Sequence, residues 1–156
     1  MDSQLENKLY EQFPDLYRER TASLEGSRMP WGCQIEKGWY KILYDMSEQI
    51  QKIAVSGDNS PAIMEVGRDE YGQLMVGVRN ITPPIADIVR SAKERSRLTC
   101  EFCSYAPAIL RSRKGRLQGH VACGRCVSKN TTSRPQPKYK RKQAPRRAPD
   151  TIVVKR

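Results

Sequence analysis

The sequence predicts an α+β fold. It comprises a small helical and hairpin N-terminal domain over residues 1–98, a four-cysteine module over 99–130, and a flexible basic tail over 131–156. Three observations carry this expectation. Apolar residues recur at helical spacing in "KGWYKILYDMSEQIQKIA". Two short runs alternate in polarity on either side of Gly72. Two Cys-x-x-Cys pairs then stand nineteen residues apart, before the chain turns basic and proline-rich.

The elements follow in order. Asp2 or Ser3 caps a first helix from Ser3 to Phe13, and Pro14 stops it. Leu5, Leu9 and Phe13 recur every four residues as one apolar stripe. Residues 14–37 read as irregular, because Pro30, Gly32 and "EGSRMP" argue against a regular element. The second helix places Trp39, Ile42, Leu43, Met46, Ile50 and Ile53 on one face, and "SGDNSP" ends it. "AIMEVGR" and "QLMVGVR" form a hairpin around "DEYG", with Gly72 suited to the turn. Ile63, Glu65 and Gly67 face one way along the first strand; Met64, Val66 and Arg68 face the other. A third helix begins at Pro83 or Pro84, where a missing N–H costs nothing. It runs to about Arg97 and buries Ile85, Ile88, Val89 and Ala92.

Composition narrows the function classes. Hydrophobic residues make up 38% of the 156 and charged residues 29%, with a mean hydropathy of −0.70. Such a chain is expected to be soluble and partly unpacked. No apolar run approaches the roughly 20 residues of a membrane span. "MDSQLENKLYEQF" lacks the features of a secretory signal, so the expected location is the cytoplasm. The net charge of +11 is uneven. Residues 1–90 carry ten Lys and Arg against fourteen Asp and Glu. Residues 91–133 carry nine against two, and residues 134–156 nine against one. An acidic front and a basic back point to nucleic-acid contact at the basic end.

Cys100, Cys103, Cys123 and Cys126 have the spacing of a four-cysteine zinc site, zinc being favoured over an iron–sulfur cluster. Two residues between cysteines let a tight turn aim both sulfurs at one ion, and a hairpin brings in the second turn. In a reducing compartment such pairs are metal ligands more often than disulfides. The segment "AILRSRKGRLQGHVA" suits that hairpin, with "RKG" at its tip and Gly115 free to take a positive φ. The module is therefore expected to be zinc ribbon-like. His120 reads as an ordinary hairpin residue, and Cys33 as a small buried thiol. A divalent ion held by four thiolates is a net anion. Some of Arg111, Arg113, Lys114, Arg116 and Arg125 compensate it. The surplus, together with Lys138, Lys140, Arg141, Lys142, Arg146 and Arg147 in a tail that reads as disordered, calls for an external acidic partner.

"FPDLY", "WGCQIEKGWYKILYDMSEQIQ" and "IVRSAKERSRLTCEFCSYAPAILRSRKGRLQGHVACGRCVSK" resemble a group of small uncharacterised phage and prophage proteins. Members run from a short Phe-Pro segment, through a Gly-Trp motif opening a helix, to C-terminal Cys-x-x-Cys pairs. The resemblance covers most of residues 13–129, and the basic tail is additional. It implies a bacteriophage source, hence host cytoplasm, and a zinc site.

The expected function is nucleic-acid binding through the basic hairpin and tail, as in a transcription regulator of weak sequence specificity. Tyr105 and Tyr139 are available to stack on bases. The alternative is an interaction module that docks on a host complex, RNA polymerase or defence machinery, with purely structural zinc. Catalysis and a small-molecule substrate are not expected. There is one histidine, and a four-thiolate site has no open position for water.

Overall fold

The computed structural model describes residues 1–54, 60–110 and 119–130. The tip of the cysteine hairpin and the basic tail fall outside the described residues. Helix α1 spans Ser3–Gln12, and the Asp2 side chain accepts from the backbone N–H of Gln4 at 2.9 Å, capping it as expected. Helix α2 spans Tyr40–Ile53 and α3 spans Pro83–Leu98. Strands β1 (Ala62–Arg68) and β2 (Leu74–Arg79) form an antiparallel hairpin. The short strands β3 (Ile109–Leu110) and β4 (Val121–Ala122) pair in the same sense, and α4 (Gly124–Asn130) follows them. Among the described residues, no helix is long and apolar enough to cross a membrane.

The helical periodicity of α2 becomes the centre of the core. Ile42, Leu43, Met46 and Ile50 are buried along one face. Each such side chain contributes about 1.5–3 kcal/mol on leaving water. Ile53, expected on the same face, lies in the last turn and is 44% exposed. Ser47 is the polar exception on the buried face. Its hydroxyl donates to Leu43 O at 2.8 Å and receives the Tyr17 hydroxyl at 2.9 Å, so both buried oxygens have partners. Arg95 of α3 bridges to Asp45 of α2 at 2.9 Å, tying the two helices at their exposed margin.

The segment expected to be irregular has a structural task. It contains three 3-10 turns, Arg18–Thr21, Met29–Trp31 and Lys37–Trp39. Between them its backbone covers the outer edge of β1. Arg28 N–H and Gln34 N–H donate to Met64 O and Val66 O at 2.8 and 2.9 Å, and Ile63 N–H donates to Leu16 O at 2.8 Å. The edge groups of β1 are thereby paired without a third strand.

The alternation expected along β1 is broken. A bulge falls between Ile63 and Glu65, so Ile63 and Val66 both enter the core although three positions apart. An extra residue shifts the phase of a period-two pattern by one, which sequence alternation alone cannot register. The turn itself is as expected. Gly72 takes φ 72°, and the Asp69 carboxylate receives the N–H groups of Tyr71 and Gln73, both at 2.9 Å.

The cysteine module packs on this body through Gly38. The Gly38 N–H donates to Glu101 O at 2.6 Å. A Cβ at this position would collide with the carbonyls of Cys100 and Glu101. The neighbouring Trp39 is fully buried, and its Nε1–H donates to Thr99 O at 2.8 Å. Gly38→Ala is expected to lower stability by about 1–3 kcal/mol, since only backbone can yield. Urea unfolding checks it; a midpoint equal to that of the parent chain would refute the close approach.

Candidate metal centre

Two tight turns bring four sulfurs together. The first turn begins where α3 ends. Cys100 N–H donates to Tyr105 O at 2.8 Å and Ser104 N–H to Cys100 O at 2.9 Å, which folds Cys100–Cys103 back on itself. Ser104 takes φ 62°, a left-handed conformation that glycine would adopt more cheaply. Its hydroxyl explains the choice of residue: it donates to Gly38 O at 2.8 Å. The second turn sits between β4 and α4, with Cys123 just before the helix and Cys126 within it. The antiparallel register Ile109↔Ala122 and Leu110↔Val121 sets the two turns side by side.

The ligating atoms of Cys100, Cys103, Cys123 and Cys126 all lie within 4.8 Å of one another. Cys103 Sγ and Cys123 Sγ are 3.6 Å apart, well beyond the roughly 2.05 Å of a disulfide. Four thiolates about 2.3 Å from a zinc ion would stand about 3.8 Å from each other. The cluster is therefore of the size that holds a metal ion and is compatible with zinc. Cys100, Cys123 and Cys126 are buried and Cys103 is exposed. The backbone N–H of Cys126 pulls the Cys123 thiol down to about 7, toward the ligating thiolate form. Local desolvation of the sulfur among its neighbouring cysteines raises Cys103, and burial raises Cys126. A bound cation offsets that penalty.

His120 is no ligand, since the cluster is composed of the four cysteines. It is nevertheless more than an ordinary hairpin residue. It is buried, its Nδ1 lies 2.8 Å from Glu101 Oε2, and its ring leans on Phe102 at 5.2 Å. Arg68 Nη1 lies 2.6 Å from both ring nitrogens. With Nδ1–H donated to the carboxylate, Nε2 is the nitrogen that accepts from Arg68. The other oxygen of Glu101 receives Glu36 N–H at 3.2 Å and lies 3.7 Å from Arg68 Nε. Glu101 is fully buried, so these partners are what make its burial tolerable.

Sequence reasoning missed the Glu101–His120–Arg68 group. One signal was present: Glu101 is the only acid between Cys100 and Cys126. Arg68 had no signal, because its role depends on a hairpin end reaching the module. Cys33 is buried as expected, and burial pushes its thiol up to about 12, which makes it unreactive. Of the basic residues singled out, Arg125 is exposed on α4, and its guanidinium lies 5.8 Å from the Tyr105 ring centroid. Arg111, Arg113, Lys114, Arg116, Lys138, Lys140, Arg141, Lys142, Arg146 and Arg147, with Tyr139, lie outside the described residues.

Two outcomes are expected. The chain carries one metal ion per molecule by elemental analysis, and Cys100→Ser or Cys126→Ser loses it together with much of the folding cooperativity. Glu101→Ala leaves His120 Nδ1–H and Glu36 N–H without their acceptor and Arg68 without its counter-charge, costing about 3–5 kcal/mol in denaturant unfolding; a cost below about 1 kcal/mol would show that the buried group is dispensable. No protein-family model, curated protein or solved structure matches this chain.

Proposed function

We propose that the chain is a phage-type zinc protein that binds nucleic acid and regulates transcription in the cytoplasm of the infected host. Zinc is the ion best suited to four thiolates in a closed tetrahedral set, and its task there is structural. The thiolates fill the coordination sphere, so the metal displays the surrounding surface and does no chemistry of its own.

The observation that carries the reading is charge. Residues 91–156 hold eighteen Lys and Arg against three Asp and Glu. A zinc ion with four thiolates neutralises only two of those cations. Lys93, Arg95 and Arg97 are engaged by Asp69, Asp45 and Glu94. The cations assigned to phosphates are Arg111, Arg113, Lys114, Arg116 and Arg125 in the module, and Lys138, Lys140, Arg141, Lys142, Arg146 and Arg147 in the tail. Phosphate contacts supply affinity with little sequence choice, so weak specificity follows.

A second reading is docking on a host protein complex, RNA polymerase or a defence assembly. A groove of about 550 Å³ favours it, lined by Glu6, Glu11, Tyr10 and the exposed Trp31 in the acidic N-terminal half. One stoichiometric protein partner that survives nuclease treatment would support that reading over the first.

Salt provides the test of the first reading. A chain that engages six to ten phosphates loses about 10³–10⁵ in affinity between about 50 and 200 mM salt. Removing residues 134–156 should flatten the slope of log affinity against log salt. Tight binding indifferent to salt would overturn the proposal.

A further inference from the structure

We propose that Tyr105 and Arg125 form a stacking platform on the cysteine module that selects single-stranded over duplex nucleic acid. The inference rests on the nucleic-acid reading above and sharpens it to one strand state and one surface.

The geometry begins with the first turn of the module. Cys100 N–H is bound to Tyr105 O, and Ala108 N–H to Leu98 O at 2.9 Å, so the chain on either side of the turn runs as a short ladder. Three large apolar side chains along this stretch are exposed. Leu98 is 63% exposed, Tyr105 52% and Ile109 60%. They are three of the eight large apolar side chains exposed among the described residues, gathered within twelve positions of sequence.

Arg125 then comes in from α4. Its guanidinium lies over the Tyr105 ring at 5.8 Å from the centroid. No carboxylate lies within ion-pair distance of it among the described residues. A cation–π contact at this distance leaves the guanidinium N–H groups for an external acceptor. An exposed ring with a cation over it, and exposed apolar side chains in the same stretch of chain, thus fall in the part of the sequence, residues 91–133, that carries nine Lys and Arg against two Asp and Glu.

That combination matches an unpaired strand. A free base offers a π face to Tyr105 and apolar surface to its neighbours, while the adjoining phosphate meets Arg125. A duplex buries its base faces within its own stack, so it engages the charge but not the ring. The exposed apolar side chains have no role in duplex binding, which is why they favour the single strand.

The test uses the full zinc-loaded chain and fluorescently labelled homopolymeric DNA and RNA strands of about twelve nucleotides, beside duplexes of the same length. Single strands are expected to bind more tightly than duplex at equal salt. Tyr105→Leu, which keeps apolar bulk but removes the ring, is expected to weaken single-strand binding about five- to fiftyfold with no change on duplex. Tyr105→Phe retains binding, and Arg125→Gln lowers it while also reducing the salt slope by about one. Zinc content and circular dichroism of each variant establish that the module is intact.

Equal affinity for duplex and single strand, or a Tyr105→Leu chain that binds both as the parent does, would overturn the platform and leave nucleic-acid binding standing. A chain that binds neither form would overturn both. A dimer that dissociates on Leu98→Ser and Ile109→Ser would show that a second copy covers this patch, and would equally overturn the proposal.

Discussion

The first cysteine turn lies directly on the backbone of Gly38, with no side chain between them. Gly38 N–H binds Glu101 O, Ser104 Oγ binds Gly38 O, and Trp39 Nε1 binds Thr99 O. These bonds are possible only because position 38 carries no Cβ. The module is small, and modules of its size seldom bury enough apolar surface to stand alone. Here Cys100, Val121, Ala122 and Cys123 share one buried cluster with Trp39 and Leu43. The helical body lends the module a core, and an ion held by the four sulfurs would fix the two turns in the shape that fits the body. Folding of the one would then be bound to loading of the other.

Electrostatics reinforces that seat. Glu101 is placed between Cys100 and Cys103 of the cluster, fully buried, where an unpaired carboxylate would be costly. His120 comes from the strand side of the module and Arg68 from the end of the hairpin. Each supplies a donor, and Glu36 supplies a backbone N–H. The group thus reads the relative position of three segments at once. A shift of any one leaves a buried polar atom without its partner, so the arrangement enforces register more than it adds raw stability.

The division of charge follows from the same architecture. The four-cysteine cluster is partly enclosed, and several acids of the helical body are already engaged in ion pairs. Asp45 binds Lys41 and Arg95, Asp69 binds Lys93, and Glu65 binds Arg28. Arg125 remains exposed on α4 beside an exposed tyrosine. Among the described residues the module thus presents Arg125 and Tyr105 at its surface, while the groove near Trp31 on the helical body is lined by Glu6, Glu11 and Arg20 together with Tyr10.

Much of this was legible in the sequence wherever the governing interaction is short-ranged. The apolar stripe of α2, the Asp2 cap, the prolines opening α3 and the glycine of the hairpin turn all act within a few residues. The spacing of Cys100, Cys103, Cys123 and Cys126 likewise encodes two turns that meet at one ion, and their sulfurs do gather. Tertiary structure alone decided what each element rests upon. The β1 bulge, the edge pairing supplied by residues 14–37, and the roles of Gly38, Glu101 and Arg68 join parts of the chain far apart; Trp39 and Thr99 are separated by 60 positions. Periodicity records which face of an element is apolar. It holds no record of the neighbour that will cover that face, because the cost of a missing Cβ or a buried carboxylate is set by atoms that arrive only when the chain closes on itself.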